Sequence, residues 1–96
     1  MTTTPIITKE YTPTGGRFVT VVDGQEAVLT YIKRAPDLYV ADHTGVPAAL
    51  EGRGVGKALF NALVADAQAV GYRIDPQCWF VALHAKRRPE LLKLFV

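Results

Sequence analysis

Val46-Pro-Ala-Ala-Leu-Glu-Gly52-Arg53-Gly54-Val55-Gly56-Lys57-Ala58-Leu59 is the stretch on which the fold turns. Glycines at 52, 54 and 56 let backbone N–H groups converge where side chains would otherwise stand. From Val55 to Val70 the apolar residues Val55, Leu59, Leu63, Ala67 and Val70 recur at helical spacing. Ala58, Phe60, Ala62 and Val64 widen that stripe, and Gly71 stands where a left-handed cap would stop the helix. A helix beginning here leaves its first N–H groups unpaired and carries roughly half a positive charge at that end. Arg53 and Lys57 add full charges, so the turn suits a phosphate or pyrophosphate. A plain helix start needs only one cap residue, and alternating glycines carry an entropic cost.

Upstream the pattern is that of strands. Phe18–Val22 and Ala27–Ile32 are β-rich and joined through Asp23-Gly24, a dipeptide that predicts a type I′ hairpin. Ala35-Pro36-Asp37 turns the chain into a third strand, Leu38–Thr44, with Tyr39, Ala41 and His43 on one face. Short connections make these strands an antiparallel meander. Beyond Gly71, Tyr72–Asp75 reads as a fourth strand, Cys78–Arg88 as a helix and Glu90–Phe95 as a last helical turn after Pro89. Residues 1–16, rich in Thr, Pro and Gly, read mostly as a flexible N-terminal segment, with Ile6 and Ile7 as a short edge strand at most. The expectation is an α/β (α+β) domain over residues 17–96: a meander sheet, a ligand-binding helix, a further strand and a C-terminal helix.

Several ligand classes drop out. A Walker A loop needs glycine where Glu51 stands and Ser or Thr where Ala58 stands. A dinucleotide fingerprint needs glycine at Lys57 or Leu59 and a parallel βαβ setting. Cys78 with His43 and His84 falls short of a zinc site, so no metal is expected. One cysteine makes no internal disulfide, no apolar run approaches the roughly 20 residues of a membrane span, and Met1–Pro5 lacks a secretion pattern. The expected address is cytoplasmic. A net charge of +2 is small for a nucleic-acid binder, and Lys86-Arg87-Arg88 carries no recognised motif, which disfavours that class.

Taken together, the turn and its flanks resemble the Gcn5-related N-acetyltransferases. Their turn, Gln/Arg-x-x-Gly-x-Gly/Ala, reads here as Glu51-Gly-Arg-Gly54-Val-Gly56, with Glu in place of the first residue. His43-Thr44-Gly45-Val46-Pro47, Pro76-Gln77-Cys78 and Arg87-Arg88-Pro89-Glu90 extend the likeness to a subgroup of short, stand-alone proteins, from about Arg17 to the C-terminus. That subgroup usually has Arg-His-Pro-Glu where this chain has Arg87-Arg88-Pro89-Glu90. The resemblance implies a truncated acetyltransferase fold that binds acetyl-CoA between two splayed strands. It places the coenzyme on Val46, Arg53, Gly54, Val55, Gly56 and Lys57. It implies an amine acceptor, a small molecule or a protein, and leaves that acceptor unnamed.

Acetyl transfer needs a held thioester, a donor to the developing oxyanion and a deprotonated acceptor. The backbone N–H of Val46, beside the strand-ending Pro47, is the candidate oxyanion donor. Cys78, at the start of a helix whose dipole favours thiolate, is the candidate covalent carrier or acid; its alternative is a small buried hydrophobe. His43 is the candidate base, because imidazole titrates near neutrality; its alternative is a structural hydrogen bond. Trp79 and Phe80 read as core, His84 as surface or packing, and Arg87 and Arg88 as solvated helix-end charges. Two functions stay open, an N-acetyltransferase and a non-catalytic CoA-binding module, in a monomer or weak dimer.

Overall fold

Asp23 and Gly24 both adopt positive φ, 51° and 75°, as a type I′ hairpin demands. They join β2 (Gly15–Val22) to β3 (Gln25–Ala35), which pair antiparallel, and β4 (Leu38–Gly45) follows antiparallel to β3. These elements belong to a computed structural model that describes residues 5–96. The chain then passes through a 3-10 turn (Ala48–Leu50) into α1 (Val55–Val70) and returns as β5 (Arg73–Pro76), parallel to β4. A second helix, α2 (Trp79–Lys86), and a 3-10 turn (Pro89–Leu94) complete an α+β fold.

The N-terminal segment differs from the sequence expectation. Thr8–Thr12 forms a strand, β1, at the edge of the sheet, paired antiparallel with β2, and the sheet order is β1-β2-β3-β4-β5. Gly15 and Gly16, read as the close of a tail, are the first residues of β2. A Cβ on Gly15 would collide with the Tyr31 carbonyl oxygen, and one on Gly16 would lie 2.5 Å from the Tyr31 hydroxyl. These glycines permit close strand approach, a need that composition does not distinguish from a loop. Met1–Thr4, the start of the expected tail, lie outside the described residues.

One face of the sheet carries Phe18, Ala27, Leu29, Tyr31, Tyr39, Ala41 and Ile74, and α1 and α2 pack on it. The predicted stripe of α1 buries Val55, Leu59, Leu63 and Ala67 there, with Phe60 and Val64 beside them; Val70, at the last turn, is exposed. Gly71 caps the helix at φ 96°, its N–H on Ala67 O at 2.8 Å. Each such Leu or Phe removed from water contributes about 1.5–3 kcal/mol. Tyr31, Tyr39 and Tyr72 stack through the core, at centroid separations of 4.8 and 3.6 Å.

β4, the third strand of the sequence expectation, does not alternate throughout. Thr30 pairs with His43 but Tyr31 with Ala41, so Asp42 is an extra residue, a β-bulge whose carboxylate accepts the Thr30 hydroxyl at 2.7 Å. The bulge reverses the faces beyond it. Thr44, opposite the core residue Leu29, moves to the helix side, and His43, opposite Thr30, moves to the other.

Candidate functional site

Where the bulge falls, the sheet also opens. The β4–β5 ladder ends at the pair Ala41–Pro76, and the last link is Cys78 N–H to Ala41 O at 2.8 Å. β4 continues to Gly45 while the chain after Pro76 leaves for α2. The cavity that results has a volume of about 490 Å³, within the usual range of ligand sites. The end of β4 (Thr44, Val46), the glycine turn with the start of α1, and the α2 side chains Trp79, Phe80 and His84 enclose it.

The glycines divide by role. Gly52 and Gly54 both hold φ 78°, with open space where a Cβ would stand, so conformation requires them. Gly56 is an ordinary helical residue. A Cβ there would lie 2.5 Å from Phe80 Cζ, so its smallness seats the Phe80 ring on the first turn of α1. Gly54 is the N-cap of α1 without a side-chain cap, and the first helical bond runs from Ala58 N–H to Gly54 O. The amides of Val55, Gly56 and Lys57 therefore have no partner among the described residues, and all three residues line the cavity. Free amides at a helix start, an adjacent lysine and apolar walls of Val46, Leu50 and Phe80 fit a coenzyme with a diphosphate and an uncharged arm.

The predicted site residues do not all converge. Val46, Gly54, Val55, Gly56 and Lys57 lie in the cavity wall. Arg53 turns away from it to pair with Asp23 of the β2–β3 turn at 2.6 Å. Cys78 is half-buried, its thiol donating to Thr44 Oγ1 at 3.3 Å. It is tied to the cavity through Thr44 and its neighbour Trp79. His43 is exposed on the opposite face of the sheet, its Nε2 folded over Gly45 and outside the cavity wall. The bulge is the reason, and no strict strand alternation anticipates it.

Three residues of α2 enter where the sequence reading expected packing or surface. Trp79 is 74% exposed and lines the cavity. Phe80 covers Gly56 from the same wall. His84, one helical turn on, packs its ring 4.4 Å from Phe80 and 5.4 Å from Phe60. Burial, with Arg87 and Lys57 nearby, holds its pKa below the usual 6.5. The i, i+4 spacing of Phe80 and His84 was the available signal, since it puts both on one helix face. Arg88 instead joins elements, bonding Asn61 Oδ1 of α1 and Glu90.

No group of three or more potential metal ligands gathers among the described residues. No described helix is long and apolar enough to cross a membrane. No curated protein matches the chain. A family model described as GCN5-related N-acetyl-transferase matches residues 17–94 of the 96. With its bulged, opened sheet and its glycine turn leading into a helix, the chain belongs to the GCN5-related N-acetyltransferase family.

Proposed function

We propose that this protein is an acetyl-CoA-dependent N-acetyltransferase whose coenzyme lies between the end of β4, the start of α1 and α2. The observation that carries the reading is the set of unpartnered amides at Val55, Gly56 and Lys57, three residues that line a cavity reaching Thr44 and Val46 at the end of β4. The diphosphate takes those amides and Lys57, and the uncharged arm runs along Val46, Leu50 and Phe80 toward Thr44. Bound acetyl-CoA supplies the thioester.

Near Thr44 the chain offers Val46 N–H to the carbonyl oxygen as negative charge develops there. Two routes are open to the acetyl group. In one, a neutral amine attacks the carbonyl carbon, the C–S bond breaks, the departing sulfur takes a proton from Cys78, and the proton shed by the amine returns to the Cys78 thiolate. In the other, Cys78 Sγ attacks first, releasing CoA as its thiol, and the amine then displaces Cys78. Both keep Cys78 beside Thr44, whose hydroxyl oxygen accepts a hydrogen bond from the thiol. His43 has no part in either, because it lies outside the cavity wall.

CoA at a hundredfold excess over its Kd stabilises the fold by about 2.7 kcal/mol, raising Tm on the order of 10 °C. Lys57→Glu, at an exposed position, should remove most of that rise while leaving the free protein's Tm nearly unchanged. A full shift in this variant overturns the placement of the diphosphate. Labelled acetyl-CoA tests the chemistry: label on Cys78, or transfer to an amine that Cys78→Ala abolishes or slows, supports the enzyme. The displacement of His43 favours one other reading, a CoA-binding module without turnover. Tight binding with neither labelling nor transfer would establish that instead.

A further inference from the structure

His84 lines the same cavity as Lys57 and the other residues with free amides at the start of α1, and it feels the charges of Lys57 and of Arg87, the residue that caps the end of α2. We propose that His84 takes up a proton when a diphosphate group binds, becoming a second cation of the cavity wall beside Lys57. The inference rests on the coenzyme reading above and goes beyond it, since it couples ligand affinity to pH through a residue outside the glycine turn.

The argument is one of charge and packing. In the free protein the ring packs against Phe60 and Phe80, and its partial burial, with the charges of Arg87 and Lys57, favours the neutral imidazole. The carboxylate on the cavity wall is Glu51, and it is not among the groups that shift His84. In the last 3-10 turn, Glu90 is engaged by Arg88. A diphosphate diester brings two permanent negative charges into the same cavity. It reverses the local sign, screens Lys57 and Arg87, and gives an imidazolium a charge-assisted acceptor.

The linkage has a definite sign. His84 holds more proton in the complex than in the free protein, so affinity rises as pH falls between its free and bound titration points. The expected gain is about tenfold, the scale of one charge-assisted hydrogen bond. Dephospho-CoA is the suitable probe, because it keeps the diphosphate and lacks the phosphate monoester that would itself titrate near pH 6.

Calorimetry in buffers of different protonation enthalpy, from about pH 6 to about pH 8, reads the protons bound per ligand. Uptake by wild type that disappears in His84→Gln and persists in Glu51→Gln supports the proposal. Binding without uptake, or uptake retained in His84→Gln, overturns it and leaves the coenzyme site standing. No binding by CoA or dephospho-CoA at any pH overturns both. A readout on the unaltered protein removes dependence on the variant's folding. On saturation with dephospho-CoA the His84 ring resonance should titrate at higher pH, while that of His43, on the other face, holds still. A His84 midpoint that stays put or falls refutes the inference.

Discussion

Gly56 shows how a glycine at the start of a helix serves packing. Ala at a helical position is favoured over Gly by about 1 kcal/mol, but here its Cβ would meet the tip of the Phe80 ring at 2.5 Å. A half-buried ring at a cavity wall can swing, so the two effects nearly cancel in stability. Gly56→Ala should change unfolding free energy by less than about 1 kcal/mol yet weaken CoA binding on the order of tenfold, as Phe80 moves into the cavity. Adding Phe80→Leu should recover much of that affinity, and titration of both variants decides it. Thr20 offers a second test. Its hydroxyl is buried on the helix-bearing face with no hydrogen-bond partner among the described residues. Thr20→Val should therefore stabilise by about 1 kcal/mol in urea denaturation, and a loss would mean that the hydroxyl has a partner.

Between elements, one polar cluster holds the N-terminal strand to the helix. Lys9 of β1 reaches Asp66 of α1 at 2.8 Å, and the Tyr72 hydroxyl donates to the same oxygen at 2.7 Å. Burial opposes the charge on Lys9, but the hydrogen bond to Asp66, the Asp66 charge and smaller contributions from Tyr31 and Tyr11 together outweigh this and raise the pKa above the usual 10.5. The ammonium also lies 5.2–5.9 Å from the rings of Tyr11, Tyr31 and Tyr39. Asp66→Ala leaves both donors without their acceptor and should cost about 2–3 kcal/mol. Asp66→Asn, which retains an acceptor oxygen, should cost less. Equal losses in the two variants would mean that packing alone sets the effect. Hydrogen exchange should then show β1 loosening first, since it forms an outer edge of the sheet.

The whole molecule has a radius of gyration of 12.8 Å, close to the ~12.5 Å expected of a compact chain this long. Its stability should be bounded in pH on both sides. Burial, reinforced by the bond to Asp66, raises the Tyr72 pKa far above the usual 10.0. The unfolded chain thus releases that proton first, and stability is lost as pH rises past 10; raised Lys9 acts in the same direction above 10.5. His84 acts oppositely, because its folded pKa is depressed, and stability falls as pH drops through 6.5. Tm measured across pH should form a plateau between these limits, and Tyr72→Phe should flatten its alkaline edge while lowering the plateau. A Tm that climbs above pH 10 would contradict the buried hydroxyl. Local chemistry made the Asp23-Gly24 hairpin, the α1 stripe, its Gly71 cap and the glycine-rich start of α1 with its unpaired amides readable from the chain alone. Turn dihedrals, helical periodicity and unpaired amides all act within a few residues. The β1 strand, the Asp42 bulge that carries His43 off the site, the Asp23 partner that occupies Arg53, and the entry of Trp79, Phe80 and His84 became visible only in three dimensions. Each is decided by contact between segments far apart in the sequence, and a strand register or a ring packed on a distant glycine leaves no periodic trace along the chain.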